Sequence, residues 1–198
     1  MNVTRGEGAT VPDPTTCKSP NLIIIVRDYL PYSPSLYQKG YSGKVVQVRP
    51  SPHTPTATMK TFNFLDHIIA KVEAKASGFN EGIMVNTDGF VTEGTVSNIF
   101  IVTENRIVTP RQEAGLLPGV TRRVILELAE EEQMQSEEGT ITPQQLAAAD
   151  EAFLTNSLVE IMPFVELDGY PIGTVTPGPV TKDLTASYRK RVQEELKL

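Results

Sequence analysis

Lys60 opens the segment "KTFN" (60–63), with no acidic residue within five positions on either side. A lysine so placed is either simply solvated or, when desolvated, a nucleophile able to condense with a carbonyl. Glu93 lies in "TEGTVSNIF" (92–100), inside a strand-like run flanked by apolar Val91 and Ile99. Strand interiors disfavour glutamate, so it needs either an exposed face or a partner. One account is alternation, with the carboxylate facing water or an arginine. The other sets it beside a pyridine nitrogen, where it keeps the ring protonated as an electron sink. "LLPGVT" (116–121) puts flexible backbone just before a helix, where free N–H groups and the helix dipole make an anion site. A turn with Thr121 as N-cap is the plainer account of the same residues. "TNS" (155–157) offers amide and hydroxyl donors at a strand end, suited to ligand contact or to turn capping. The four features carry weight as a set. His53 and His67 lack metal-ligand spacing and are assigned to a loop and a helix surface, and no metal site is expected. Met162 and Phe164 read as core.

These residues need elements to position them. "NLIIIVRDY" (21–29) reads as a buried strand, and the proline-spaced 30–40 segment as a connector with a domain boundary near residue 35. "KVVQVRP" (44–50) reads as a strand. Phe64, Leu65, Ile68, Ile69 and Val72 recur at helical spacing and predict an amphipathic helix with Lys60 at its entrance and Gly78 as its stop. Thr87, Asp88 and Gly89 mark a turn, so 82–102 reads as a hairpin continuing into a further strand, with Glu93 on it. "NRIVTP" is a short strand, and a helix opens near Val120. Thr142, Pro143 and Gln145 form a capping-box start that leads into the strand "EAFLT", with Asn156 and Ser157 just past it. "VELDGYPIG" reads as a hairpin and "GPVTKDLTASYRKRVQEEL" as a surface helix.

At 198 residues, with 18 Lys and Arg against 24 Asp and Glu and no long block of one charge, the chain reads as a globular acidic protein without a basic footprint for nucleic acid. Cys17 is the single cysteine, which excludes an internal disulfide framework and suits a reducing cytosol. The run "LIIIV" (22–26) is too short to span a bilayer, and no signal peptide is seen, so a cytoplasmic location is expected.

Taken together, "KTFN", "EGTVSNIF" (93–100), "LLPGVTR" (116–122), "TNSLVEIMP" (155–163) and "GPVTK" (178–182) resemble the class IV aminotransferase family, pyridoxal phosphate enzymes of fold type IV, in the family's order across essentially the whole chain. The resemblance implies a mixed α/β (α+β) fold: the large C-terminal, cofactor-binding domain at 36–198, preceded at 1–35 by a remnant of the small N-terminal domain and its connector. It implies that Lys60 carries pyridoxal 5'-phosphate, Glu93 contacts the pyridine nitrogen and Leu117 packs on the ring. Val120 and Thr121 match the helix N-terminus that holds the phosphate, Ser157 its hydroxyl ligand, and Asn156 lies beside it. Ser97 and Asn98 belong to the signature as support near the cofactor. The implied partners are a small amino substrate and a second copy of the chain, with no membrane. Within the family, "TNSLVEIMP" above all resembles the aminodeoxychorismate lyases, which release pyruvate from 4-amino-4-deoxychorismate to give 4-aminobenzoate for folate synthesis. The alternatives are a branched-chain or D-amino acid aminotransferase, and a truncated non-catalytic domain that still binds the cofactor. Phe64 stands where branched-chain enzymes carry a tyrosine, and Thr10 where a lyase can carry an arginine. Family members have further strands and helices before "NVTRGEG", including a phosphate-binding arginine, so the chain is expected to be part of a larger unit.

Overall fold

The computed structural model describes residues 1–196. The chain divides into two compact units, Met1–Pro31 and Tyr32–Leu198. The first holds a two-stranded antiparallel ribbon, β1 (Asn2–Thr4) with β2 (Asn21–Ile23). The expected buried strand over 21–29 is corrected here: only Asn21–Ile23 is strand, and Leu22 to Val26 are all exposed, Val26 at 89 %. An apolar run marks a surface that calls for cover, and a unit this small has too little chain to supply it.

The second unit runs α1 (Pro34–Lys39), β3 (Tyr41–Val45), α2 (Leu65–Ala76), β4 (Glu81–Val85), β5 (Val91–Gly94), β6 (Asn98–Thr103), β7 (Arg106–Pro110), α3 (Val120–Glu131), β8 (Ser136–Gly139), α4 (Pro143–Ala147), β9 (Glu151–Asn156), β10 (Glu160–Leu167), β11 (Tyr170–Pro171) and α5 (Pro179–Glu195). Its strands form one mixed sheet in the order β5-β4-β3-β10-β9-β6-β7-β8, with β11 on β10. The order dictates curvature. β5 and β6 are five strand spacings apart in it, about 24 Å if flat, yet the four steps from Gly94 to Asn98 reach about 14 Å at most. The sheet must therefore curl until these strands meet, and the β5–β6 turn closes the seam with Gly94 N–H donating to Ser97 O at 2.7 Å.

Side-chain alternation sorts the core. On β6, Ile99 and Ile101 join Ile83, Leu154, Met162 and Phe164 in one cluster, while Phe100 and Val102 face the other way. That second face packs on α3 and α5 through Ile125, Leu128 and Leu184, with Phe100 stacked on its cross-strand partner Phe153 at 4.9 Å. Turn chemistry agrees with the expected hairpin: Asn86 Oδ1 accepts from Asp88 N–H and Phe90 N–H, and Gly89 takes φ +88°. The capping box at Thr142 and Gln145 forms as expected.

Two expectations change. The strand expected over 44–50 lies at Tyr41–Val45 instead, so residues 46–50 fall outside it. Helix α2 forms, but its apolar stripe points outward: Leu65, Ile68, Ile69 and Val72 are 50–63 % exposed, while Ala70 and Ala74 are buried against Val46 and Met84. The small face is inward because α2 lies close on β4, where a side chain at Gly82 would meet Val46 and the carbonyl of Ala70.

Candidate active site

The curl leaves a cavity of about 1060 Å³ over the β5–β6 seam. All seven residues singled out by the sequence line it: Lys60, Glu93, Leu117, Val120, Thr121, Asn156 and Ser157. Four separate segments bring them there. Lys60 lies in the loop before α2 and is exposed. Glu93 sits on β5 and is 6 % exposed. Leu117 belongs to the loop entering α3, Val120 and Thr121 are that helix's first residues, and Asn156 and Ser157 lie at the end of β9.

Glu93 has a defined set of partners. Its Oε2 accepts from Leu117 N–H at 3.2 Å and from Asn98 Nδ2 at 3.4 Å, and its Oε1 faces His67 Nε2 at 3.4 Å. Burial pushes the carboxyl above its usual range, while the His67 bond and charge, the Leu117 amide and the Lys60 ammonium hold it back. Asn98 Nδ2 also donates to Leu117 O at 2.8 Å, which ties the loop before α3 to the seam.

The α3 N-terminus is open. Gly119 is its N-cap and no side chain accepts from the first turn, which corrects the account of Thr121 as N-cap; Thr121 is instead buried on α3 at 3 % exposure. A side chain at Gly119 would overlap Asn98 Oδ1, so the close approach of this loop to the seam requires glycine. Unsatisfied N–H groups at a helix start are a ready anion site. The neighbouring Thr155 Oγ1 is buried without a hydrogen-bond partner, and Thr155 lines the same cavity. A phosphate group fits this donor set, and a carbonyl compound fits beside Lys60 in the same cavity.

Asn156 is engaged in the turn that follows β9. It is the last residue of β9 rather than beyond it, its Nδ2 donates to Val96 O at 3.0 Å, and its Oδ1 accepts from Leu158 and Val159 N–H. These bonds shape the turn that carries Ser157.

Two site residues escape a reading of the sequence. Glu81, 1 % exposed in the cavity wall, accepts from Lys71 Nζ at 3.0 Å, Gly82 N–H at 2.9 Å, Thr95 N–H at 3.2 Å and the Thr95 hydroxyl. The available signal was a carboxylate heading the otherwise apolar strand "EGIMV". His67, assigned to a helix surface, instead touches Glu93 with its ring stacked on Phe64 at 4.5 Å. Its position three residues after Phe64, the N-cap of α2, was the signal for the stack, but nothing local pointed to Glu93. At the far end, burial and the neighbouring Tyr32 push the Tyr41 phenol up to about 12.

A curled mixed sheet whose seam gathers a lysine, a buried carboxylate and an open helix N-terminus defines an α/β protein with a site for a phosphorylated carbonyl compound. The sequence model described as amino-transferase class IV matches residues 1–167. A Methanocaldococcus jannaschii protein assigned as a branched-chain-amino-acid aminotransferase is 36 % identical over 188 residues, 94 % of this chain. A Bacillus licheniformis D-alanine aminotransferase is 35 % identical over 137 residues, 69 % of this chain. The crystal structure of a Thermobaculum terrenum branched-chain amino acid aminotransferase in its PLP form superposes with a TM-score of 0.74 at 29 % identity over 77 % of this chain. The chain spans 64 %, 48 % and 51 % of the lengths of those three proteins, less than two thirds of each. The chain belongs to the class IV aminotransferase family.

Proposed function

We propose that this chain is the large domain of a pyridoxal phosphate-dependent aminotransferase that acts on a small branched-chain or D-amino acid. The observation that carries the reading is the single cavity shared by Lys60, Glu93, the open start of α3 and Ser157. Pyridoxal phosphate, when bound, supplies an aldehyde and an electron-withdrawing ring that stabilises negative charge at the substrate α carbon. Lys60 Nζ carries the cofactor and, when free, takes and returns the proton at that carbon. Glu93 keeps the ring nitrogen protonated, Leu117 packs on the ring, and the N–H groups at Val120 and Thr121 with the Ser157 hydroxyl hold the phosphate.

The relatives' names weigh toward an aminotransferase and away from the aminodeoxychorismate lyase that "TNSLVEIMP" resembles. Phe64 still lacks the hydroxyl of the branched-chain enzymes, and its ring is taken up by His67. We assign residues 1–35 to the end of a small N-terminal domain and 36–198 to the cofactor domain, place the protein in the cytoplasm, and take a second copy as the cover for the exposed stripe of α2.

Incubation with pyridoxal phosphate, borohydride reduction and peptide mapping tests the site. A single adduct on Lys60 supports it; scattered adducts on surface lysines refute it and favour a domain without a working cradle. Spectra after amino-donor addition then separate the chemistries, because a transaminase leaves the cofactor as the amine and a lyase returns the aldehyde.

A further inference from the structure

We propose that His67 is a positioning residue that holds the cofactor-site carboxylate of Glu93 in place through its Nε2. The inference rests on the reading of Glu93 as the group at the ring nitrogen. Oε2 of Glu93 is already taken by Leu117 N–H and Asn98 Nδ2, so Oε1 is the oxygen left to direct, and His67 Nε2 stands 3.4 Å from it. Beside a carboxylate acceptor, the imidazole hydrogen-bonds with its proton on Nε2. The ring plane is fixed by the Phe64 stack, with centroids 4.5 Å apart and 8° between planes, so the donor is aimed rather than free to rotate.

Few other charges face this pair. Lys60 approaches Glu93 from the loop before α2. Asp66 and Lys71 lie on α2, Lys71 paired with Glu81 of β4. The facing strand β6 and the loop 115–121 carry none. Removing the His67 N–H therefore takes the hold off Oε1 and leaves burial opposed by the Leu117 amide and the Lys60 ammonium.

The test compares wild type, His67→Phe and His67→Gln. Phe keeps a ring against Phe64 but has no donor, whereas Gln keeps a donor. Infrared titration of the chain without cofactor follows the protonated-carboxyl band identified by its loss in Glu93→Gln. The band appears at higher pH in His67→Phe than in wild type and returns toward wild type in His67→Gln. Pyridoxal phosphate affinity, by absorbance, falls about three- to tenfold in His67→Phe and recovers in His67→Gln. Wild-type behaviour of His67→Phe in the titration overturns the proposal. If wild type takes up no cofactor on Lys60, the proposed function fails, and the titration still decides the role of His67.

Discussion

Truncating Glu81 should loosen the whole seam. Its carboxylate is the shared acceptor for Lys71 Nζ, Gly82 N–H and both donors of Thr95, and Thr95 is fully buried. Glu81→Ala leaves four donors of β4 and the β5–β6 turn, the Gly82 N–H, both of Thr95 and the Ser97 hydroxyl, without this acceptor, each worth about 1–3 kcal/mol when buried. Because Glu81 lines the cavity, water relieves part of this, and the net loss is about 3–5 kcal/mol, the range found when one partner of a buried pair is removed. That is a large share of the stability of an ordinary domain, about 5–15 kcal/mol. Glu81→Gln keeps one carbonyl acceptor and costs about 1–2 kcal/mol. Urea unfolding measures both, with an unchanged denaturant slope showing that stability alone has moved. The turn also places Glu93 and Asn98, so cofactor affinity falls in the same order, Ala below Gln below wild type. A Glu81→Ala chain within about 1 kcal/mol of wild type would refute the view that this carboxylate anchors the seam.

Three further outcomes are expected. Ser157→Ala should weaken pyridoxal phosphate binding about 10- to 100-fold, as for loss of a hydrogen bond to a charged group, while leaving affinity for phosphate-free pyridoxal unchanged in the same absorbance titration. Glu93 binds its proton more tightly folded than unfolded, so its contribution to stability is full below its ordinary 4.5 and is lost as pH rises through the raised folded value. Thermal scans across pH should therefore show wild type losing stability relative to Glu93→Gln on raising the pH from that range, and a constant difference would contradict the burial of the charge. Ile68→Glu combined with Val72→Glu alters only the outward stripe of α2, so sedimentation should report a monomer while urea unfolding at low protein concentration stays within about 0.5 kcal/mol of wild type.

Most elements could be read from local chemistry. The turn at Asn86–Gly89, the capping box at Thr142 and the helix opening at Val120 are each specified by residues within a few positions of one another. The strands of the β6–β9 ladder carry the period-2 sorting that puts Phe100 and Phe153 on one face. Two of the errors share a cause. The stripe on α2 and the run at 21–29 are apolar patterns that state what a surface would bury, and no local rule states whether a partner surface stands opposite.

The site divides along the same line. Lys60, Glu93 and Ser157 are chemically conspicuous where they stand, because an amine without an ion partner, a carboxylate in a strand and a hydroxyl at a strand end each ask for a reason. Those residue types and their order along the chain were enough to identify the family. That they share one cavity depends on the curl of the sheet, which follows from a strand order set by pairings far apart in sequence, such as Asn98 with Thr155 and Phe164 with Tyr41. The partners that tune the site belong wholly to that level: His67 meets Glu93 across 26 residues, and Thr95 meets Glu81 across 14. A hydrogen bond specifies only its two ends and the few ångströms between them, so the sequence names the groups that need partners while packing chooses which ones they meet.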